Sequence, residues 1–373
     1  MNVNNENVNI EERKVNISLW GESWYNWGGG DDCMAFERVM IERFGGVEEV
    51  KVVTVEEMPE PGFGEVLVRV LRSGVAFTDV MIRKGMYPEL KGKPPLTLGY
   101  DMVGVVEKLG AGVETLTEGD LVADMTVVGG HAQYLCRKEE SLVPVPEGVD
   151  PTEAAALVLP YVTAYQMFNW LATVEKDGEI LIHGAAGAVG RALLEMGRIF
   201  TARMFATDHR RNFDLIKEYG AVPIDYEDQD FVEVIASQTE NGVAAVFDAV
   251  GLDNFKRSFK CLKPGGTLVA YGFYENVMGA GHKLDPLQGF LTVKLWHLLP
   301  NKRKSYFYSI GGFRKKSPDL FKQDLTILFH LLKAGKLKPL IDSVIPMSEV
   351  ATAHRRIEAG EAQGKIVVKC NDK

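Results

Sequence analysis

The run His183-Gly184-Ala185-Ala186-Gly187-Ala188-Val189-Gly190 spaces three glycines evenly, directly after the apolar stretch Ile180-Leu181-Ile182 and at the start of a helical segment. Glycines so placed between a strand and a helix build a phosphate cradle. Gly184 permits a tight turn, Gly187 lets the main chain approach a pyrophosphate, and Gly190 lets the helix pack closely on the strand. Ala188 and Val189 then carry N–H groups at the positive end of the helix dipole. The expected ligand is a dinucleotide. The next apolar run ends in Ala206-Thr207-Asp208-His209-Arg210-Arg211. An acid at this point binds the 2′-hydroxyl of NADH, whereas basic residues accept the 2′-phosphate of NADPH. Thr207 occupies the expected acid position and Asp208 follows it. Arg210 and Arg211 supply forks suited to phosphate. NADPH is the expected cofactor, and Asp208 is the residue that argues for NADH.

These residues need a sheet to hold them. Beyond Lys176 the pattern alternates strand and helix. Ile180–Ile182, Met204–Ala206, Val243–Phe247 and Thr267–Tyr271 read as strands, and Gly190–Phe200 and Asn212–Tyr219 as helices. Such alternation predicts a doubly wound parallel sheet of the Rossmann kind, in the α/β class. Before it, residues 34–134 carry β-type signals. Glu65–Val70 alternates loosely, Met102–Val106 is apolar, and Pro151-Thr152-Glu153 opens a helix with proline in its first turn. The last strand, Ile366-Val367-Val368, is expected to rejoin this earlier part.

The bulk composition is that of an ordinary globular protein. The 373 residues are 46% hydrophobic and 25% charged, enough for two domains with full cores. A net charge of −9 argues against nucleic acid as the main partner. Cys33, Cys136, Cys261 and Cys370 are scattered, with no CxxC pair, which fits a reducing cytoplasm better than a disulfide framework. No stretch is long and apolar enough to span a bilayer, and Leu287–Pro300 is interrupted by Lys294 and His297. Residues 1–33, rich in Asn and holding Trp20, Trp24 and Trp27, read as a disordered extension, with Met34 the expected start of the fold.

Matches to a known family run through most of the chain. They include Phe44-Gly45-Gly46, Pro59-Glu60-Pro61-Gly62-Phe63-Gly64-Glu65-Val66-Leu67-Val68, Gly74-Val75-Ala76-Phe77-Thr78-Asp79, Arg83-Lys84-Gly85-Met86-Tyr87-Pro88, Thr163-Ala164-Tyr165, Ile224-Asp225-Tyr226 and Lys338-Pro339-Leu340-Ile341-Asp342-Ser343-Val344. From Met34 to Lys369 the chain resembles medium-chain dehydrogenases/reductases of the quinone oxidoreductase type, most closely the vesicle amine transport protein-like branch. The resemblance implies a GroES-like, mostly β catalytic domain at 34–160, completed by 301–373, around a Rossmann domain at 161–300. Zinc alcohol dehydrogenases of this superfamily carry Cys in a Gly-Val-Cys-His-Thr-Asp run and His in Gly-His-Glu. Here the runs read Gly74-Val75-Ala76-Phe77-Thr78-Asp79 and Gly99-Tyr100-Asp101, so both ligands are replaced and no metal is expected.

Without a Lewis acid, hydride addition to a quinone or an α,β-unsaturated carbonyl is the easier chemistry, because charge moves to an oxygen that hydrogen-bond donors can hold. The resemblance places Tyr87 near the nicotinamide as a donor or wall, and Asp79 as a family carboxylate that could instead anchor a turn. Ala76 and Met81 replace polar residues of the quinone reductases. Thr163, Val250, Gly251, Tyr271, Gly272 and Phe273 are implied to border the nicotinamide and ribose, Tyr226 the 2′-phosphate, and Lys365 the pyrophosphate.

Two alternatives stand beside this reading. One is an enoyl-thioester reductase, with Lys302-Arg303-Lys304 and Arg314-Lys315-Lys316 at a basic entrance. The other is a nucleotide-binding adaptor at membranes, using the same clusters beside Trp296, Phe307 and Phe313. A homodimer is also expected, pairing sheet edges formed within Phe290–Ser309, where Leu291-Thr292-Val293 and Ser305–Ile310 are rich in strand formers.

Overall fold

A computed structural model describes residues 35–172, 174–279, 284–300 and 302–372. The expectations for residues 1–33 and for a start at Met34 lie outside the described residues. Six parallel strands form the dinucleotide-type sheet: β1 (Glu179–His183), β2 (Arg203–Asp208), β3 (Val222–Asp225), β4 (Val243–Asp248), β5 (Leu262–Ala270) and β6 (Lys304–Phe307). Their spatial order is β3-β2-β1-β4-β5-β6, the doubly wound order with its switch point at β1 and β4. The central strands are apolar along their length because both faces are covered. Successive side chains of β1 serve opposite faces: Ile180 and Ile182 join the larger core, while Leu181 joins the smaller one with Phe205 and Val246.

Helix α1 (Pro151–Gln166) links this sheet to the mostly β lobe. Asp150 caps it by accepting the Thr152 and Glu153 N–H groups at 2.8 and 3.2 Å, with proline in the first turn as expected. The helix is buried almost throughout, so it shows no polar face. The lobe holds a seven-stranded sheet in the order Ile341–Pro346, Lys365–Lys369, Glu65–Val75, Met102–Leu109, Leu121–Asp124, Val143–Pro144, with Tyr134–Lys138 paired to Glu65–Val75. The strand Lys365–Lys369 does rejoin the early part of the chain, antiparallel to Arg72–Val75. The sixth dinucleotide strand, β6, lies beyond residue 300, so the sheet takes in residues that the sequence reading gave to the lobe.

One expected strand is a helix. Leu291-Thr292-Val293 falls inside α3 (Asp285–Trp296), which starts with Asp285-Pro286. Strand propensity loses here because a proline in the first turn suits a helix, and one face packs inward through Gly289 and Val293. The Val293 carbonyl accepts the Ser305 hydroxyl at 2.6 Å, tying α3 to β6.

Candidate functional site

The glycine turn sits at the carboxyl end of β1. Gly184 has φ +65°, a conformation that suits glycine, and Gly187 is the N-cap of α2 (Ala188–Ile199). A Cβ on Gly190 would lie 2.3 Å from the Gly184 carbonyl oxygen and 2.7 Å from the Ala185 Cα, both backbone, so helix and turn can meet only through glycine. Ala188 and Val189 form the first helical positions, where N–H groups have no partner within the helix. A cradle of this shape fits a pyrophosphate.

At the end of β2 the structure separates residues that the sequence left together. Thr207 is buried, and its hydroxyl meets His183 Nδ1 at 2.8 Å. His183 Nε2 meets the Ser258 hydroxyl at 3.0 Å, and Ser258 donates to Asp248 Oδ2 at 2.6 Å. The Thr207 side chain therefore ties the strands together and does not face a ribose, a correction to its assignment as a cofactor contact. Asp208 is also turned inward. Its Oδ2 accepts the Ala186 N–H at 2.7 Å, and its Oδ1 accepts the His209 N–H at 2.8 Å and Asn212 Nδ2 at 2.6 Å. Arg210 remains exposed and reaches Asp225 and Asp228 at 3.3 and 3.1 Å, while Arg211 donates to the Gly360 carbonyl at 2.8 Å. Tyr226 is half exposed, with its hydroxyl 2.6 Å from His209 Nε2, and burial pushes its phenol up to about 12. His209 and Asn212 were not singled out from sequence, because nothing in their spacing marks them.

Other residues at the strand ends fall as follows. The Val250 N–H donates to Asp248 Oδ1 at 2.9 Å, and Gly251 precedes the helix Leu252–Lys260. Gly272 backs onto Ala249, where a Cβ would lie 3.1 Å from the Ala249 Cβ. Tyr271 is half-buried beyond β5, and burial raises its phenol first, then the charge of Asp248. The Phe273 ring stacks on Phe307 at 5.2 Å and packs against Phe255, so that ring belongs to the core and only its main chain is available to a ligand.

The lobe brings its own cluster to the same end of the sheet. Tyr308 follows β6, donates its N–H to the Ala270 carbonyl at 2.7 Å, and its hydroxyl donates to Gln166 Oε1 on α1 at 2.8 Å. Thr163 reaches the same phenol. Gln166 Nε2 in turn donates to Asp324 Oδ2 at 2.7 Å. Beside them the hydroxyls of Tyr87 and Tyr100 are 2.5 Å apart, with the rings edge to face at 5.6 Å. Tyr100 is fully buried, and burial pushes both phenols well above their ordinary value. Both therefore stay protonated and can donate.

Buried carboxylates fix Tyr100. Asp79 Oδ1 accepts the Gly99 N–H at 3.1 Å and Oδ2 the Ala76 N–H at 2.9 Å. Asp101 Oδ1 accepts the Gly74 N–H at 2.7 Å, and its Oδ2 pairs with Lys365 Nζ at 2.9 Å. Gly99 has φ +107° and a Cβ there would lie 2.1 Å from the His131 nitrogen, so the Gly99-Tyr100-Asp101 turn admits no other first residue. Asp79 is fully buried with both oxygens held by main chain, and burial pushes it up to about 7. It anchors this turn and reaches no reacting atom, a correction to its place among the catalytic candidates. Lys365 is likewise corrected: its ammonium is buried against Asp101 rather than offered to a pyrophosphate.

The basic clusters also resolve. Arg314 holds Asp124 at 2.6 Å and lies 4.8 Å over the Phe321 ring, so it is structural. Trp296 stacks on Phe259 at 4.7 Å, and Phe313 packs on Tyr308. The exposed apolar side chains of this region include Leu287, Leu291, Leu295 and Leu298 on and after α3. Among the described residues no three His, Cys, Asp or Glu side chains gather as a metal site, and no helix is long and apolar enough to cross a membrane.

Residues 62–147 match the alcohol dehydrogenase GroES-like domain, and residues 219–368 match the domain described as zinc-binding dehydrogenase. Over 340 residues the chain is 31% identical to the synaptic vesicle membrane protein VAT-1 homolog of Rattus norvegicus, covering 88% of this chain and 83% of that protein. The chain belongs to the medium-chain dehydrogenase/reductase superfamily, in its VAT-1-like branch. It is also 29% identical to a 2-haloacrylate reductase of Burkholderia sp, over 86% of this chain and 93% of that one. The quinone oxidoreductase of Pseudomonas syringae pv. Tomato DC3000 superposes with a TM-score of 0.79 at 26% identity, covering 90% and 99% of the two chains. The family is one of oxidoreductases, and the glycine turn lies where its fold binds a dinucleotide.

Proposed function

We propose that this chain is an NADPH-dependent, zinc-independent reductase of quinones or α,β-unsaturated carbonyls. A bound reduced nicotinamide would supply the hydride. The observation that carries the reading is the Tyr87–Tyr100 pair, 2.5 Å between hydroxyls, beside the carboxyl end of the dinucleotide sheet. Protonated phenols can hold the negative oxygen that hydride addition creates, the task that a metal performs in alcohol oxidation. Tyr100 stands where the zinc enzymes carry a histidine ligand, which supports chemistry without that ligand set. The preference for NADPH is supported by Asp208, whose carboxylate is spent on three protein donors, and by Arg210, Arg211 and Tyr226 around the outer rim. The test is NADPH consumption with 1,2-naphthoquinone, alkenals and crotonyl thioesters. Cofactor binding without turnover on any acceptor would overturn the reading, and a preference for the thioesters would shift it to the enoyl-thioester class.

A cytoplasmic homodimer is part of the proposal. Cys136, Cys261 and Cys370 are free thiols, and β6 is one of the two edge strands of the six-stranded sheet. The exposed leucines of α3 adjoin that edge, and an apolar stripe of this kind marks an interaction surface. Light scattering at micromolar concentration should give a dimer mass. A monomer that instead pellets with anionic vesicles would assign the stripe to a membrane surface, as the names of the VAT-1 relatives suggest.

A further inference from the structure

Each phenol has one proton to give. The Tyr100 hydroxyl meets one hydrogen-bond partner among the described residues, the Tyr87 oxygen, whereas the Tyr87 hydroxyl also lies 3.5 Å from Glu89 Oε2. The arrangement that satisfies every group therefore has Tyr100 donating to Tyr87, and Tyr87 free to donate onward. Glu89 is exposed, but it is not loose. Its Oε1 accepts the Ser309 hydroxyl and the Gly312 N–H, the latter at 3.2 Å, at the start of α4 (Ile310–Lys316). Gly311 closes the niche: a Cβ there would lie 1.8 Å from Glu89 Oε2 and 3.5 Å from the Tyr87 hydroxyl. A surface carboxylate is thus held over a half-buried phenol, which is backed by a fully buried one.

Resting on the reductase reading above, we propose that Glu89, Tyr87 and Tyr100 form a proton line. In it Tyr87 is the acid, Tyr100 is the positioning residue that tunes it, and Glu89 is the relay to solvent. After hydride reaches the β-carbon, the Tyr87 O–H passes its proton to the enolate oxygen, leaving an enol that tautomerises to the saturated carbonyl. The Tyr87 phenolate is held by the Tyr100 O–H. Glu89 then takes a proton from water and passes it to Tyr87, which restores the phenol and leaves Glu89 a carboxylate again. One hydride and one proton are consumed per carbonyl, so the step balances.

The experiment measures kcat for an alkenal across pH, the solvent deuterium isotope effect and NADPH affinity in wild type, Tyr100→Phe, Glu89→Ala and Gly311→Ala. Tyr100→Phe should lower kcat about 10- to 100-fold, because Tyr87 keeps its proton but loses the charge-assisted hydrogen bond that holds its phenolate. It should also move the alkaline limb upward, because Tyr87 loses the donor that stabilises its phenolate, and it should leave NADPH affinity unchanged. Glu89→Ala should lower kcat about 10-fold, raise the isotope effect, and recover with added formate, a rescue that a merely structural role would not give. Gly311→Ala should reproduce the Glu89→Ala profile without formate rescue, since its methyl fills the niche. If wild type reduces the alkenal while Glu89→Ala and Tyr100→Phe keep its kcat, pH limb and isotope effect, the line is overturned and the reductase reading stands. If wild type binds NADPH but reduces no acceptor, both fall together. Glu89 is exposed, so the Glu89→Ala result holds even if Tyr100→Phe fails to fold.

Discussion

The two halves of the site are made of different material. The glycine turn is built from main chain: Gly184, Gly187 and Gly190 contribute shape and N–H groups, and their side chains contribute nothing. The tyrosine cluster is built from side chains that buried ions hold in place, through Asp79, Asp101 and Lys365. A backbone cradle tolerates change outside its glycines, since any residue supplies an N–H. A side-chain cluster fails when any supporting partner is lost, because a buried group without its partner carries the full desolvation cost. The two regions should therefore break in different ways.

The largest effect is expected in the side-chain half. Lys365 and Asp101 are buried almost completely, with side-chain exposures of 2% and 0%. Lys365→Met strands the Asp101 charge and should cost about 3–5 kcal/mol in urea unfolding. Removing both charges, as Lys365→Met with Asp101→Asn, should recover much of that loss, since the amide oxygen that replaces the carboxylate can still accept the Gly74 N–H. Equal losses in the single and double variants would show that packing, rather than charge, fixes the Gly99-Tyr100-Asp101 turn.

The backbone half should respond to one methyl. Gly190→Ala puts a Cβ against the Gly184 carbonyl and the Ala185 Cα, neither of which can rotate away. Overpacking of this kind costs roughly 1–3 kcal/mol. NADPH affinity should fall by a larger factor than stability, because the displaced element is the cradle itself. Calorimetric titration beside thermal unfolding separates the two effects. An unchanged NADPH Kd would mean that the turn does not hold the pyrophosphate.

The contrast also explains what the sequence disclosed. A strand, glycines at fixed intervals and a helix are local, so the cradle could be read from residues 180–200 and the sheet around it from the strand–helix alternation out to Tyr271. The open edge at Ser305–Phe307 was readable for the same reason, while Leu291–Val293 was misread because tertiary packing and Pro286 outweighed strand propensity. The tyrosine cluster is non-local. Tyr87 and Tyr100 come from two loops of the lobe, and Tyr308 and Gly311 from the segment that follows β6, and no spacing announces that they meet. Thr207 and Lys365 read as cofactor contacts and Asp79 as a catalytic candidate, but their side chains face protein partners. Polarity in the sequence shows that a group needs a partner, and only the fold shows which one it finds.

A smaller effect is expected at the rim between the two halves. Arginine bonds to phosphate are worth roughly 1.5–3 kcal/mol when well formed, but Arg210 is 73% exposed and already paired with Asp225 and Asp228. Arg210→Ala with Arg211→Ala should therefore raise the KM for NADPH by about 10- to 100-fold and leave that for NADH nearly unchanged. A wild type that prefers NADH would overturn the NADPH assignment and show that Asp208 gives up its protein donors for a ribose.

The most specific effect appears only on acidification, at His354. His354 is fully buried, and among the described residues neither ring nitrogen has a hydrogen-bond partner. Burial, helped by the charge of Arg83, pulls its pKa down from 6.5 to about 3. The folded state therefore keeps this imidazole neutral where the unfolded chain protonates it. The unfolded state binds the extra proton between pH 6.5 and about 3, so this group makes stability fall as pH falls through that window. Asp79 acts in the opposite sense. Its pKa rises from 3.8 to about 7, so the folded state binds the extra proton, and that contribution is lost as pH rises through the window between those values. In wild type the two trends oppose each other and mask one another. The difference between His354→Leu and wild type removes the Asp79 contribution, which both proteins share. Above pH 6.5 that difference should be constant and set by packing. Below it, the balance should move in favour of the variant by about 1.4 kcal/mol per pH unit. Parallel stability curves from about pH 7 to 4 would show that His354 takes up its proton without unfolding, and that the lobe behind the tyrosines opens to water more readily than its burial implies.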